Sequence, residues 1–137
     1  MMPSRHRALP LLSLIAVAIL GGCSTMSSGP DAATSNLNHV VLISLKNEAD
    51  AEACAADCRA MLGSIDCVDT LWVGTPVDTG RSMVDDDYEV GLCVGFERLE
   101  DLQTYLDAPA HVDLVESWGP RATRFRIFDV GQPDLDR

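Results

Sequence analysis

Lysine occurs once in this chain, at Lys46, and ten basic residues stand against 21 acidic ones, for a net charge of −11. Fifteen of the acids are aspartate. A surface of that sign repels nucleic acid phosphates and anionic lipid headgroups, which argues against DNA or RNA as partners. No stretch supplies the roughly 20 consecutive apolar residues that a membrane-spanning helix requires. The apolar run from Leu9 to Leu20 is about 12 residues long. There is no Cys-x2-Cys element and no close Cys/His pair of the kind that structural zinc uses. No metal and no cofactor is therefore expected. There is no internal repeat.

The short apolar run has the length of a secretory signal core. Arg5, His6 and Arg7 precede it, and Leu20-Gly21-Gly22-Cys23 closes it. That ending resembles a bacterial lipobox, which implies cleavage before Cys23, lipidation of its thiol and acylation of the new amino terminus with palmitate-like chains. Each buried methylene contributes about 0.8 kcal/mol, so several chains hold a protein on a membrane far longer than one. Ser24 is not the aspartate associated with inner-membrane retention. The expected location is the bacterial cell envelope, lipid-anchored, at the outer membrane rather than the inner. Residues 1–22 are then the signal peptide. Residues 23–38, rich in Ser, Thr, Ala and Asn, form a flexible tether. Residues 39–131 suit one small domain with one core, and 132–137 a loose tail. Losing residues 1–22 removes Arg5 and Arg7 and no acid, so the processed chain is more acidic still.

Within the domain, His39-Val-Val-Leu-Ile-Ser-Leu45 is β-branched and apolar, a buried strand. Asn47 can cap a following helix, with Glu48, Asp50 and Glu52 at its positive end. Ala51, Cys54, Ala55, Cys58, Met61 and Leu62 make that helix's inner face, and Gly63 stands near its stop. A second strand is expected from Cys67 to Thr75. A polar loop with Pro76, Gly80 and Asp85-Asp86-Asp87 follows. The third strand, Tyr88 to Phe96, carries Tyr88, Val90, Leu92, Val94 and Phe96 on one face. Gly91 and Gly95, on the other face, signal close approach of something to that strand. A helix from about Arg98 is expected to bury Leu99, Leu102 and Leu106. Arg121 to Val130 makes the last strand, with Arg121, Arg124 and Arg126 expected to pair with acids.

The order β-α-β-β-α-(α)-β is that of an α+β, ferredoxin-like split βαβ domain, an antiparallel four-stranded sheet with helices on one face. The bare face needs a cover, commonly a second copy, so a homodimer is expected, with Trp72 at the seam.

The segment Tyr105 to Pro120 carries the functional lead. Pro109 restarts a helix, because proline suits the first helical position and disfavours helix in the residue before it. His111, Leu114, Val115 and Trp118 then fall at i, i+3, i+4 and i+7, on one face. A histidine on an apolar stripe must find a partner or a use.

Over roughly His39 to Val130 the chain resembles the stress-responsive A/B barrel (Dabb) domain family. The likeness rests on the first-strand His-Val-Val-Leu-Ile-Ser-Leu-Lys, on Tyr88…Phe96-Glu97, on Asp101-Leu-Gln-Thr-Tyr105, on Pro109-Ala-His111 and on Ile127-Phe128-Asp129-Val130. It implies a ferredoxin-like protomer whose sheets pack face to face as a dimeric α/β barrel. A plant member of the family closes a linear polyketide by aldol condensation. By resemblance His111 corresponds to its general base, Tyr105 to an assisting tyrosine, and His39 to a first-strand pocket histidine. Ala108 and Val90 stand where that protein has two further pocket histidines. A near-neutral histidine can take a proton alpha to a carbonyl while a phenol donates to the developing enolate. Burial lowers the histidine's pKa and keeps it neutral.

Three readings follow. The preferred one is a membrane-anchored, non-enzymatic dimer that binds a small apolar or aromatic molecule in a pocket lined by His39 and Trp118. Linear polyketides are made in the cytosol on carrier thioesters, which weighs against the second reading, a cyclase- or isomerase-type enzyme using His111 as general base with Tyr105. The third is a structural dimer with a filled interior, in which His111 links helix to strand. With Cys23 lipidated, Cys54, Cys58, Cys67 and Cys93 remain, either as buried thiols or as disulfides in an oxidising envelope. Cys54 and Cys58 share one helix face and are poorly placed to bond each other. Either can reach Cys67 or Cys93 only if those face the helix.

Overall fold

The computed structural model describes residues 35–131. The expected signal peptide, the Cys23 lipidation site, most of the tether and the tail at 132–137 lie outside the described residues.

Strand β1 (Leu37–Leu45) starts two residues earlier than its β-branched core suggested. Leu37, His39, Val41, Ile43 and Leu45 are buried, while Asn38, Val40 and Leu42 point to the other, half-open face. The Asn47 side chain then accepts from the Ala49 N–H at 3.3 Å and opens a 3-10 turn, Glu48–Asp50, that runs into α1 (Ala51–Leu62). Cys54, Ala55, Cys58 and Leu62 are buried on α1, with Ala51 and Met61 flanking. After β2 (Thr70–Gly74) and β3 (Val90–Phe96) come α2 (Leu99–Leu106) and α3 (Pro109–Trp118). A second 3-10 turn, Gly119–Arg121, leads to β4 (Ala122–Gly131).

The strands form one antiparallel sheet in the order β2-β3-β1-β4. With three helices against one face, this is the ferredoxin-like α+β fold. Val90, Val94 and Phe96 of β3 and Leu62 of α1 are sealed between sheet and helices. Full burial of a side chain of that size contributes roughly 1.5–3 kcal/mol, so this layer holds the fold. Among the described residues no helix is long and apolar enough to cross a membrane.

Two local expectations change. Leu99 and Leu106 do not join the core, being 51% and 36% exposed, whereas Leu102 and Tyr105 do. Tyr105 is the largest fully buried side chain, and α2 is rolled so that its ring occupies the middle of the inward face. Tyr88 lies before β3 rather than in it, and its ring covers the face opposite Val90. A Cβ on Gly91 would meet Tyr88 Cε2 at 3.2 Å and Leu42 Cδ2 at 3.3 Å, so the close approach foreseen there comes from within the chain. At Gly95 the approaching groups are the hydroxyls of Ser35 and Thr70.

The helix-free face presents a cross-strand row of Trp72, Cys93, Val40 and Phe128, set by the strand registers. Arg126 and Arg124 lie on the same face and pair with Asp85 and Asp87 of the connecting loop. Arg121 binds Asp50 at 2.8 Å and stacks over the Trp118 ring at 3.7 Å. All three arginines thus have acidic partners, as their setting in an acidic chain suggested. The four described cysteines are free thiols. Cys93 points away from the helices, out of reach of Cys54 and Cys58, and the Cys67 thiol donates to the Asp101 carbonyl of α2.

Candidate ligand cavity between sheet and helices

The stripe read on α3 does converge. His111, Leu114, Val115 and Trp118 all face a cavity of about 260 Å³ between the sheet and the helices, open along one side. Its floor is His39, Val41 and Ile43 of β1 with Leu92 of β3; Cys58 and Leu62 of α1 close the back. Phe125 and Ile127 of β4, with Leu106 and Val115 across from them, are exposed apolar residues at its rim. The sheet and helices of one copy leave this space unfilled.

The joint between α2 and α3 sets the polar end. Ala108 is extended (φ −65°, ψ 133°), as the residue before Pro109 should be, and Pro109 opens α3. This kink brings the His111 ring to 4.6 Å from that of Tyr105, centroid to centroid. Tyr105 in turn lies 5.9 Å from His39 and 5.2 Å from Phe96. Three polar side chains from three elements meet at one end of an otherwise apolar space.

His111 Nδ1 lies 3.0 Å from the Leu106 carbonyl oxygen. A carbonyl only accepts, so Nδ1 carries the proton and the neutral ring keeps its lone pair on Nε2. The bond ties α3 to the end of α2, not helix to strand as expected for a structural role. Burial lowers the pKa of His111, with a smaller push from His39, while the Leu106 carbonyl acts in the opposite direction. Tyr105 is only 1% exposed, and burial, reinforced by Cys58 and Cys67, drives its hydroxyl well above the ordinary tyrosine range. It is a fixed donor at any working pH.

His39 is buried, and its Nδ1 lies 2.6 Å from the Asp129 carboxylate. The Trp118 indole N–H is taken by Asp57 at 3.0 Å, so that ring is an apolar wall with its polar atom turned outward. The Cys58 thiol is held far above the usual thiol range, first by its hydrogen bond with Cys54 and then by burial, and it contributes a neutral surface. Among the described residues no three His, Cys, Asp or Glu side chains are grouped to hold a metal ion.

All four sequence-selected residues, His39, Tyr105, His111 and Trp118, thus line one space. Asp129 was missed. Its signal lies in strand register, which sets it directly across from His39, and register is not visible in either strand alone.

A family model described as Stress responsive A/B Barrel Domain matches residues 37–131. Among solved structures, a Dabb family protein with a ferredoxin-like fold from Mesorhizobium loti is 22% identical, with a TM-score of 0.60, covering 70% of this chain and 95% of that one. A dimeric protein of unknown function and ferredoxin-like fold from Bacteroides fragilis is 18% identical, with a TM-score of 0.57 over 70% and 95% of the two chains. The hydroxynitrile lyase of Passiflora edulis is 12% identical, with a TM-score of 0.61 over 74% and 96%. At these identities the likeness speaks for the fold alone. A search of curated protein sequences finds no match.

Proposed function

The chain belongs to the stress-responsive A/B barrel family, and from that premise we propose that it is a membrane-anchored binding protein for a small apolar or aromatic molecule, working as a homodimer. The observation that carries this reading is the cavity of about 260 Å³, apolar on its walls and furnished at one end with His39, Tyr105 and His111. Cavities of roughly 150 Å³ already admit benzene, so a fused two-ring aromatic fits the space. An apolar enclosure with a few convergent polar groups is the usual form of a small-molecule site.

The test is calorimetric titration of 2-naphthol into the full-length protein in phosphatidylcholine nanodiscs, with empty nanodiscs as the blank. One molecule should bind per protomer. Val115→Phe, at the rim, should weaken binding by about tenfold without lowering Tm, because it narrows the entrance and leaves the core untouched. Binding indifferent to that substitution would place the ligand elsewhere.

The anchor is part of the proposal. Cys23 carries the lipid, and the domain stands at the bacterial outer membrane on its short tether. Cys23→Ser should abolish labelling by radioactive palmitate and move the protein from the membrane to the soluble fraction. Retention in the membrane would point to an uncleaved signal segment instead.

One observation favours a second reading, a cyclase- or isomerase-type enzyme. His111 leaves Nε2 free at the cavity beside a protonated Tyr105, the pairing that proton abstraction alpha to a carbonyl requires. Under this reading His111→Ala eliminates turnover of a carbonyl substrate while leaving the affinity for 2-naphthol within a few-fold.

A further inference from the structure

We propose that the polar end of the cavity is built for a weakly acidic hydroxyl, a phenol or an enol, and that His39, held by Asp129, takes its proton so that the ligand is bound as an oxyanion. This rests on the binding role above and adds the ligand's chemical class and the group that holds its proton.

Among the described residues, only the Arg126 Nε is buried with no partner. Both histidines spend Nδ1 on protein groups, Asp129 and the Leu106 carbonyl. Their Nε2 atoms and the Tyr105 hydroxyl have no protein partner among the described residues, yet they are not sealed off, because all three side chains line the cavity. A polar atom on an apolar wall is costly unless something bonds it. Tyr105 offers a donor and each neutral Nε2 an acceptor. A ligand hydroxyl matches both, accepting from Tyr105 and donating to a histidine. A ketone or an ether can use only the donor.

The two histidines differ in what stands behind them. The carboxylate at 2.6 Å from His39 strengthens its bond when the ring becomes a cation, since charge-assisted hydrogen bonds are roughly twice as strong as neutral ones. His111 has only a neutral carbonyl behind it, and its surroundings oppose a charge. The groups facing His39 are Asp129 from β4, Tyr105 from α2, His111 from α3 and, across the same cavity, Cys58 from α1. On β3 its neighbour is Val94, which is apolar. Two imidazolium rings on either side of one tyrosine would repel each other, so the ligand gives up a single proton, and His39 is the ring with a carboxylate behind it to receive it. The transfer is simple: the ligand O–H bond breaks, an Nε2–H bond forms, and the Nδ1 proton stays between ring and carboxylate. The resulting oxyanion accepts from the imidazolium and from Tyr105. Asp129, half exposed, keeps part of its hydration throughout.

The probe is 4-nitrophenol, whose phenolate is spectrally distinct from the phenol, added to the full-length protein in phosphatidylcholine nanodiscs at a pH where the free probe is mostly neutral. The bound probe should show the phenolate band. Asp129→Asn and His39→Gln should each return the bound probe to the phenol band, and His111→Gln, which removes the ring with only a carbonyl behind it, should shift the band less than either. Asp129 is half exposed on an edge strand, so its variant folds even if the one at His39 does not. The methyl ether 4-nitroanisole, with no proton to give, should bind about tenfold more weakly. A neutral bound probe, equal binding of the ether, or a phenolate band lost only in His111→Gln would overturn the assignment and leave apolar binding standing. Failure of both 4-nitrophenol and 2-naphthol to bind would remove the binding role itself.

Discussion

At the scale of single residues, His111 shows how one side chain serves two ends. Its Nδ1–H fastens α3 to the Leu106 carbonyl, while its ring lines the cavity with the other nitrogen unbonded among the described residues. His111→Gln should cost about 1 kcal/mol of stability, the usual loss for one intramolecular hydrogen bond, read as a lower urea midpoint with an unchanged slope. The ring also gives stability a pH dependence of known sign. Its pKa in the folded chain lies below the ordinary 6.5, so the unfolded chain takes up the proton first. The stability conferred by the neutral ring is complete above pH 6.5 and is lost as pH falls through the folded-state value. Wild type should therefore lose more stability than His111→Gln between about pH 7.5 and about pH 5, and equal losses would show that the ring is not held neutral.

At the scale of elements, the sequence carries the strands well and the helix faces unevenly. Period-two alternation names the buried side chains of β1, and in β3 it names the apolar face under the helices, although Gly91 and Gly95 on the other face are covered as well, by Tyr88, Leu42, Ser35 and Thr70. The α3 stripe is legible for the same reason, since Leu114 and Trp118 sink into the core and hold His111 in line with them. The face of α2 is misjudged at Leu99 and Leu106, which stay out of the core while Tyr105 turns into it. Three leucines compete there with one tyrosine, and which of them faces inward depends on the space the sheet leaves. Asp129 stays hidden because its meaning comes from pairing with another strand. The joint between α2 and α3 also has an unfilled capacity. Ala108 occupies the cap of α3 without a side chain to accept from its first turn. Ala108→Ser should stabilise the protein by about 1 kcal/mol and raise Tm by roughly 4 °C, provided its hydroxyl reaches the His111 amide. No gain in thermal denaturation would mean that the kink, not the missing cap, limits this helix.

At the scale of the whole molecule, the two faces of the sheet divide the work. One is buried under helices and holds the cavity; the other shows Trp72 at 60% and Phe128 at 50% exposure, in one row across four strands. Apolar surface gathered in this way marks an interaction site. A second copy supplies the same row by symmetry, and a two-fold contact of sheet on sheet buries both. Against this acts the acidic charge of each chain, −11 for the full sequence and more negative once residues 1–22 are removed, which is screened as salt rises, so association should tighten with ionic strength. Trp72→Glu adds a carboxylate to the centre of the row and, in a two-fold contact, sets it near its own copy. By sedimentation the variant should be monomeric at concentrations where wild type is dimeric. Mass action then requires that the Tm of wild type rise with protein concentration and that the Tm of the variant not do so. Because the cavity lies on the opposite face, the Trp72→Glu monomer should still take up 2-naphthol with near wild-type affinity. Loss of binding together with the dimer would mean that the second copy completes the pocket, and that the rim formed by Phe125 and Ile127 is closed across the two-fold axis rather than open to solvent.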